Sequence, residues 1–122
     1  MGYEFNNGTA IYLQIIDDVK EKILSGEFQK KQKIPSVREL SAQYGVNPNT
    51  IQKALFDLES TGLIITERTN GKFVTSDQSV IENIKKETIT KRLNEFYAKM
   101  EKLGIDKSSV IEIIRKQQLW VY

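Results

Sequence analysis

Between Asn47 and Lys53 the chain reads Asn-Pro-Asn-Thr-Ile-Gln-Lys, a run of hydrogen-bonding side chains broken by one proline and one isoleucine. The amides of Asn47, Asn49 and Gln52 suit the paired donor and acceptor on an adenine edge. Thr50 offers its methyl group to a thymine methyl, and Lys53 suits a phosphate or a guanine. More cations lie close by. Residues 30–72 hold seven (Lys30, Lys31, Lys33, Arg38, Lys53, Arg68 and Lys72) against four anions, Glu39, Asp57, Glu59 and Glu67. The rest of the first 76 residues holds two cations and five anions. Charge is therefore segregated along a nearly neutral stretch. Such a run is ordinarily a solvated face, but beside base-reading side chains it suits contact with nucleic-acid phosphates.

Other chemistry finds few residues to carry it. The 122-residue chain has no Cys and no His, which removes disulfides, thiolate nucleophiles, Ser-His-Asp arrangements and the commonest transition-metal ligand. No paired-carboxylate or glycine-rich phosphate signature stands out. Asp17-Asp18 reads as a solvated helix face, so no enzyme, metal or cofactor is expected. The net charge of +2 argues against a protein that coats nucleic acid indiscriminately. No apolar run approaches the roughly 18 residues of a membrane span. The opening MGYEFNNG lacks the layout of a secretory leader. Asn6 stands where a myristoylation motif needs Ser or Thr. A soluble cytoplasmic protein is expected.

Periodicity indicates the elements that must position these residues. Ile11, Ile15, Val19 and Ile23 recur every four residues and predict a helix over about Thr9–Ser25, with Thr9 as its cap and Gly26 as its stop. Ser36-Val37-Arg38-Glu39 matches a capping box that opens a second helix ending at Gly45. Asn47 caps a third helix with Pro48 at its first position and Ile51, Ala54, Leu55 and Leu58 on its apolar face. For Asn47 this structural role accounts for most of the side chain's use, and ordinary first-turn polarity is the alternative for Asn49 and Thr50. Two helices joined by a short glycine-containing turn make a helix-turn-helix, whose second helix enters the major groove N-terminus first. Leu63–Glu67 and Lys72–Thr75 flank Asn70-Gly71, which predicts a hairpin with a type I′ turn. The order is that of a winged helix-turn-helix, assigned to residues 1–76.

Residues 77–122 are expected to form two helices. Ser79 and Glu82 match a second capping box, and Ile81, Ile84, Ile89, Leu93, Phe96, Met100 and Leu103 form a long apolar stripe that ends at Gly104. Asp106 caps a last helix carrying Val110, Ile111, Ile113 and Ile114. The stripe needs a cover, either the winged domain or a second copy. A twofold dimer reads two half-sites, which favours a dimerisation segment with Phe96, Tyr97, Met100, Leu103, Ile111 and Ile114 at the interface. Tyr97, Trp120 and Tyr122 are an alternative lining for a small-molecule effector pocket. The apolar tail Leu119-Trp120-Val121-Tyr122 is oddly placed for a free end.

Read in order, A-I-Y-L-Q-I, G-E-F, I-P-S-V-R-E-L-S, G-V-N-P-N-T-I-Q-K-A-L-F-D-L-E-S-T-G-L-I and R-T-N-G-K-F-V resemble the GntR family of bacterial transcription regulators over residues 10–76. The N-P-N-T segment and the short helical C-terminal part resemble its YtrA-type subfamily; larger relatives carry an effector domain that does not fit in this length. The resemblance implies that Arg38 contacts DNA, that Asn47, Asn49, Thr50 and Gln52 occupy recognition positions, and that Asn70, Gly71 and Lys72 form a loop reaching the minor groove. It also implies dimerisation through the C-terminal helices. Three positions depart from the family pattern: Pro48 and Gln52 stand where arginines are usual, and Thr69 stands where the wing usually has glycine. Loss of two cations shifts the expected readout toward A·T-rich sequence.

The fold expected is thus mostly helical with a small β-hairpin, a winged helix-turn-helix followed by a C-terminal helical dimerisation segment. The function expected is that of a homodimeric repressor on an inverted-repeat operator of double-stranded DNA, using Arg38, Asn47, Pro48, Asn49, Thr50, Gln52, Lys53, Arg68, Asn70, Gly71 and Lys72. The rival reading is a winged protein-interaction module that binds no DNA.

Overall fold

The computed structural model describes the backbone of residues 3–121 and the side chains of residues 3–117. Two compact units divide the chain, Met1–Asn83 and Ile84–Tyr122.

In the first unit, α1 (Ile11–Leu24) buries Ile15, Val19 and Ile23 on one face. Each such side chain contributes about 1.5–3 kcal/mol over its exposed state. Ile11, expected to head this stripe, is exposed. Thr9 does not cap the helix. Ala10 takes the cap position with no side-chain bond, because the buried amide of Gln14 does the work from inside. Its Nε2 donates to the carbonyls of Asn6 (2.9 Å) and Thr9 (2.8 Å), and its Oε1 accepts from the Asn6 N–H (3.0 Å). This leaves no orphaned polar group where the entering segment meets the helix.

The helix-turn-helix forms as its local signals require. Ahead of α2 (Val37–Tyr44), the Ser36 hydroxyl accepts from the Glu39 N–H at 3.0 Å, and the Glu39 carboxylate accepts from the Ser36 N–H at 3.0 Å. Gly45 ends α2 at φ +68°, a left-handed conformation that costs glycine little. Asn47 caps α3 (Pro48–Ser60), and Pro48 sits in its first turn. Ile51, Ala54, Leu55 and Leu58 are buried, and α3 packs against both α1 and α2.

The wing pairs β1 (Ile64–Glu67) antiparallel with β2 (Gly71–Val74), with Thr66 opposite Lys72 and Glu67 opposite Gly71. The turn differs from the expected type I′. Three residues, Arg68, Thr69 and Asn70, connect the strands, and Asn70 does not take positive φ; Gly71 does, at +98°. A three-residue connection needs one such residue rather than two. The other edge of β2 is paired as well, by residues 31–34. The Ile34 N–H donates to the Lys72 carbonyl (2.8 Å), the Val74 N–H to Gln32 (2.9 Å) and the Lys31 N–H to Val74 (3.0 Å). Ile34, Leu63, Ile64 and Val74 complete the core with Leu40 and Tyr44.

Next, α4 spans Gln78–Glu101 and α5 spans Lys107–Val121. The Ser79 capping box is absent. Asp77 caps α4 instead, its Oδ1 accepting from the Ser79 N–H (2.9 Å) and hydroxyl (2.6 Å). A carboxylate at this position also meets the partial positive charge of the helix N-terminus, and Glu82 accepts from the Gln78 side chain instead. Asp106 caps α5 through the Ser109 N–H at 2.9 Å. Gly104, at φ +78°, separates the two helices.

Candidate nucleic-acid interface

The buried stripe of α3 fixes where its polar residues go. With Ile51, Ala54, Leu55 and Leu58 turned inward, Pro48, Asn49, Gln52 and Lys53 lie exposed along the opposite side, and Thr50 is half-buried at its edge. One turn beyond Gln52 on this side, Phe56 is 67% exposed. The sequence patterning assigned Phe56 no role, since it belongs neither to the apolar stripe nor to the polar set. Asn47 is exposed but occupied, its Oδ1 accepting from the Asn49 N–H at 2.8 Å.

The cations differ in how free they are. Arg38 on α2 and Arg68 at the wing tip are exposed and form no ion pair among the described residues. The Lys53 ammonium rests 3.8 Å from the centre of the Tyr12 ring on α1. An exposed cation–π contact of this kind is worth about 0.5–1 kcal/mol, small enough to be exchanged for a phosphate.

Lys72 is held more firmly. Its ammonium donates to Oε1 of Glu59, the penultimate residue of α3, and to the Thr66 hydroxyl at 3.0 Å. Thr66 in turn donates to the other Glu59 oxygen at 2.7 Å. Partial burial alone pushes the Glu59 carboxyl up, but the hydrogen bonds from Lys72 and Thr66 and the charge of Lys72 outweigh it and hold the carboxyl below its ordinary range. This closed triangle joins the wing to α3. The sequence counted Glu59 only as an anion; its one signal was that Thr66 and Lys72 fall opposite each other once the hairpin register is known. Asn70 donates to Glu67 at 3.2 Å across the base of the wing loop.

The candidate dimerisation residues belong to the second unit. Phe96, Leu103, Ile111 and Ile114 are exposed, and Tyr97 and Met100 are half-buried. The Tyr97 ring lies 6.0 Å from that of Phe96, with the Lys107 ammonium 5.3 Å from its centre. The Trp120 side chain and Tyr122, offered with Tyr97 as an effector lining, lie outside the described residues, as do the side chains of the apolar tail. Among the described residues no cluster of three or more acidic groups is placed to hold a metal ion, and no helix is long and apolar enough to cross a membrane.

A family model described as bacterial regulatory proteins, gntR family, matches residues 11–74. The chain is 33% identical over 115 residues to the HTH-type transcriptional repressor YtrA of Bacillus subtilis, across 94% of this chain and 84% of that protein. A GntR family transcriptional regulator from Listeria monocytogenes superposes with a TM-score of 0.84 at 37% identity, covering 92% of this chain and 98% of its own. The DNA-binding domain of AraR, solved in complex with operator ORE1, superposes with a TM-score of 0.54 at 34% identity over 62% of this chain and 93% of its own.

Proposed function

Because the chain belongs to the gntR family of bacterial regulatory proteins and is a short, YtrA-type, DNA-binding transcription regulator with a winged helix-turn-helix, we propose that it works in the cytoplasm as a homodimeric repressor that places α3 in the major groove of each half of an inverted-repeat operator. The observation that carries this reading is the exposed row Asn49, Gln52 and Lys53 opposite a fully buried stripe on α3. A helix seated this way presents hydrogen-bonding side chains and no core residue to the base edges.

In this reading Asn49, Thr50 and Gln52 read bases. Asn47 and Pro48 set the entry of the helix, with the Asn47 amide retained by its cap. Lys53 and Arg38 neutralise phosphates on either side of the groove. The wing residues Arg68, Asn70, Gly71 and Lys72 lie along the neighbouring minor groove. The winged domain takes residues 1–76 and the dimerising helices 77–122. Phe96, Tyr97, Met100, Leu103, Ile111 and Ile114 bury their apolar surface against the second copy, and two half-sites multiply the discrimination of one. Selection of bound DNA from a random pool at moderate salt tests the whole reading. An enriched inverted repeat supports it and gives the half-site spacing. A folded protein that enriches nothing favours a winged module used for protein contacts.

A further inference from the structure

Of the two lysines nearest the wing loop, one is neutralised and the other is not. The Lys72 charge is matched by Glu59, and its ammonium is also bonded to Thr66. A wing presenting Lys72 in this state brings DNA almost no net charge from that residue. Lys33 reaches the same place by a different route. Its segment pairs with the free edge of β2, Lys33 itself bridging to Phe73, and the Ile34 N–H fastens to the Lys72 carbonyl. Its stem lies across Gly71: a side-chain carbon built on that glycine would meet Lys33 Cε at 3.1 Å and Nζ at 3.8 Å. The ammonium therefore lies beside Gly71, where the wing loop enters β2, although the residue comes from the loop before α2. It borders a groove of about 330 Å³ whose walls include Ser36 and Val37 at the start of α2 and Thr69, Asn70 and Gly71 of the wing. Arg38 follows one residue beyond this wall. Lys33 is exposed and forms no ion pair among the described residues. Glu39 feels its charge, but that carboxylate is already bonded to the Ser36 N–H.

We propose that Lys33 supplies the wing's contact with a DNA phosphate, while Lys72 serves as the positioning residue that fastens the wing to α3 through Glu59. This deepens the DNA-binding reading and rests on it. Each phosphate neutralised by a lysine adds about 0.9 to the slope of log K against log salt, so the slope counts the charges that reach the backbone.

The test measures this slope by fluorescence anisotropy on a labelled random-sequence duplex for the full chain and three variants. Lys33→Met keeps the stem over Gly71 and removes the charge; its slope is expected to fall by about 0.9. Lys72→Met is expected to leave the slope unchanged. Glu59→Gln keeps the hydrogen-bonding shape but frees the Lys72 charge, so its slope steepens by up to about 0.9. An unchanged slope in Lys33→Met overturns the proposal, as does a fall confined to Lys72→Met or no steepening in Glu59→Gln. Absence of salt-dependent binding by the unaltered chain would instead remove the DNA-binding reading itself, so the two failures are distinguishable.

Discussion

The Tyr44 hydroxyl donates to the Asp18 carboxylate at 2.5 Å, tying the last residue of α2 to the middle of α1. The same carboxylate pairs with Lys22 at 3.3 Å, and the Tyr44 ring is buried against Tyr3, 5.3 Å between ring centres. This contact fixes the angle of α2, and so of Arg38, against the rest of the domain. Burial pushes the phenol up, and the hydrogen bond to Asp18 and its negative charge push it further.

Tyr44→Phe should therefore cost about 1–2 kcal/mol at neutral pH, the worth of a hydrogen bond to a charged group less what Lys22 recovers. It should also change the alkaline limb. The folded phenol keeps its proton at a pH where the unfolded chain, with an ordinary tyrosine value near 10, loses it. Stability is thus intact below about pH 10 and falls as pH rises above it. Urea unfolding at increasing pH should show this loss in the unaltered chain and a flatter limb in Tyr44→Phe. Equal limbs would contradict the Tyr44–Asp18 bond.

At the other end of the pH scale, Asp77 governs the start of α4. Hydrogen bonds from the Ser79 hydroxyl and then the Ser79 N–H hold its carboxyl below the ordinary range. A lowered value means that the cap's contribution is whole above the unfolded value, about pH 4, and fades as pH falls through the lower folded one. Asp77→Asn caps a helix about as well without titrating. Thermal melts should coincide for the two proteins near neutrality and diverge in acid, where the asparagine variant loses less. Parallel acid limbs would show that Asp77 is not the cap.

The proposed base reading by α3 has its own signature. Asn49→Ala should cost about 1–3 kcal/mol on the selected operator and little on random DNA, with relaxed preference at the matching base pair. The side chain of Asn49 is exposed and its N–H, not its amide, is taken up by the Asn47 cap, so the variant leaves the helix intact. Equal losses on both duplexes, measured by anisotropy titration, would make Asn49 a phosphate contact or a structural residue.

What the sequence disclosed and what it withheld follow the range of the interactions. The Ser36–Glu39 box and the Asn47–Pro48 start act within one helical turn. Both were readable from residue type and spacing, and with them the helix-turn-helix and the exposed face of α3. The start of α1 is not legible locally, because Gln14 satisfies backbone groups up to eight residues upstream, which no local capping rule anticipates. Asn70-Gly71 signals the hairpin but not its loop, since it is compatible with either turn until Glu67 pairs with Gly71. Least legible were contacts that join separate elements: Lys72 with Glu59 and Lys33 over Gly71. Both exist only once the hairpin register and the pairing of residues 31–34 with β2 are set.

The C-terminal helices raise a different question, since apart from Ile81 and Val110 most of their apolar residues are not buried within the described chain. Ile89, Leu93 and Phe96 recur along α4 at helical spacing and are 49%, 46% and 40% exposed, and Leu103 is 72% exposed. Leaving such side chains in water forgoes about 1.5–3 kcal/mol each that burial would supply, and a contiguous apolar strip marks an interaction surface. In the proposed dimer, a second copy related by a twofold axis would cover the strip with itself and present a second α3 to the operator. Phe96→Asp places a charge in the middle of this strip while removing no core residue, so circular dichroism should be unchanged. Sedimentation velocity should then report a monomer where the unaltered chain is a dimer, and operator affinity should fall while random-sequence binding per protomer is retained. A variant that still sediments as a dimer would place the interface away from Phe96, and a monomeric parent chain would return the strip to some other partner.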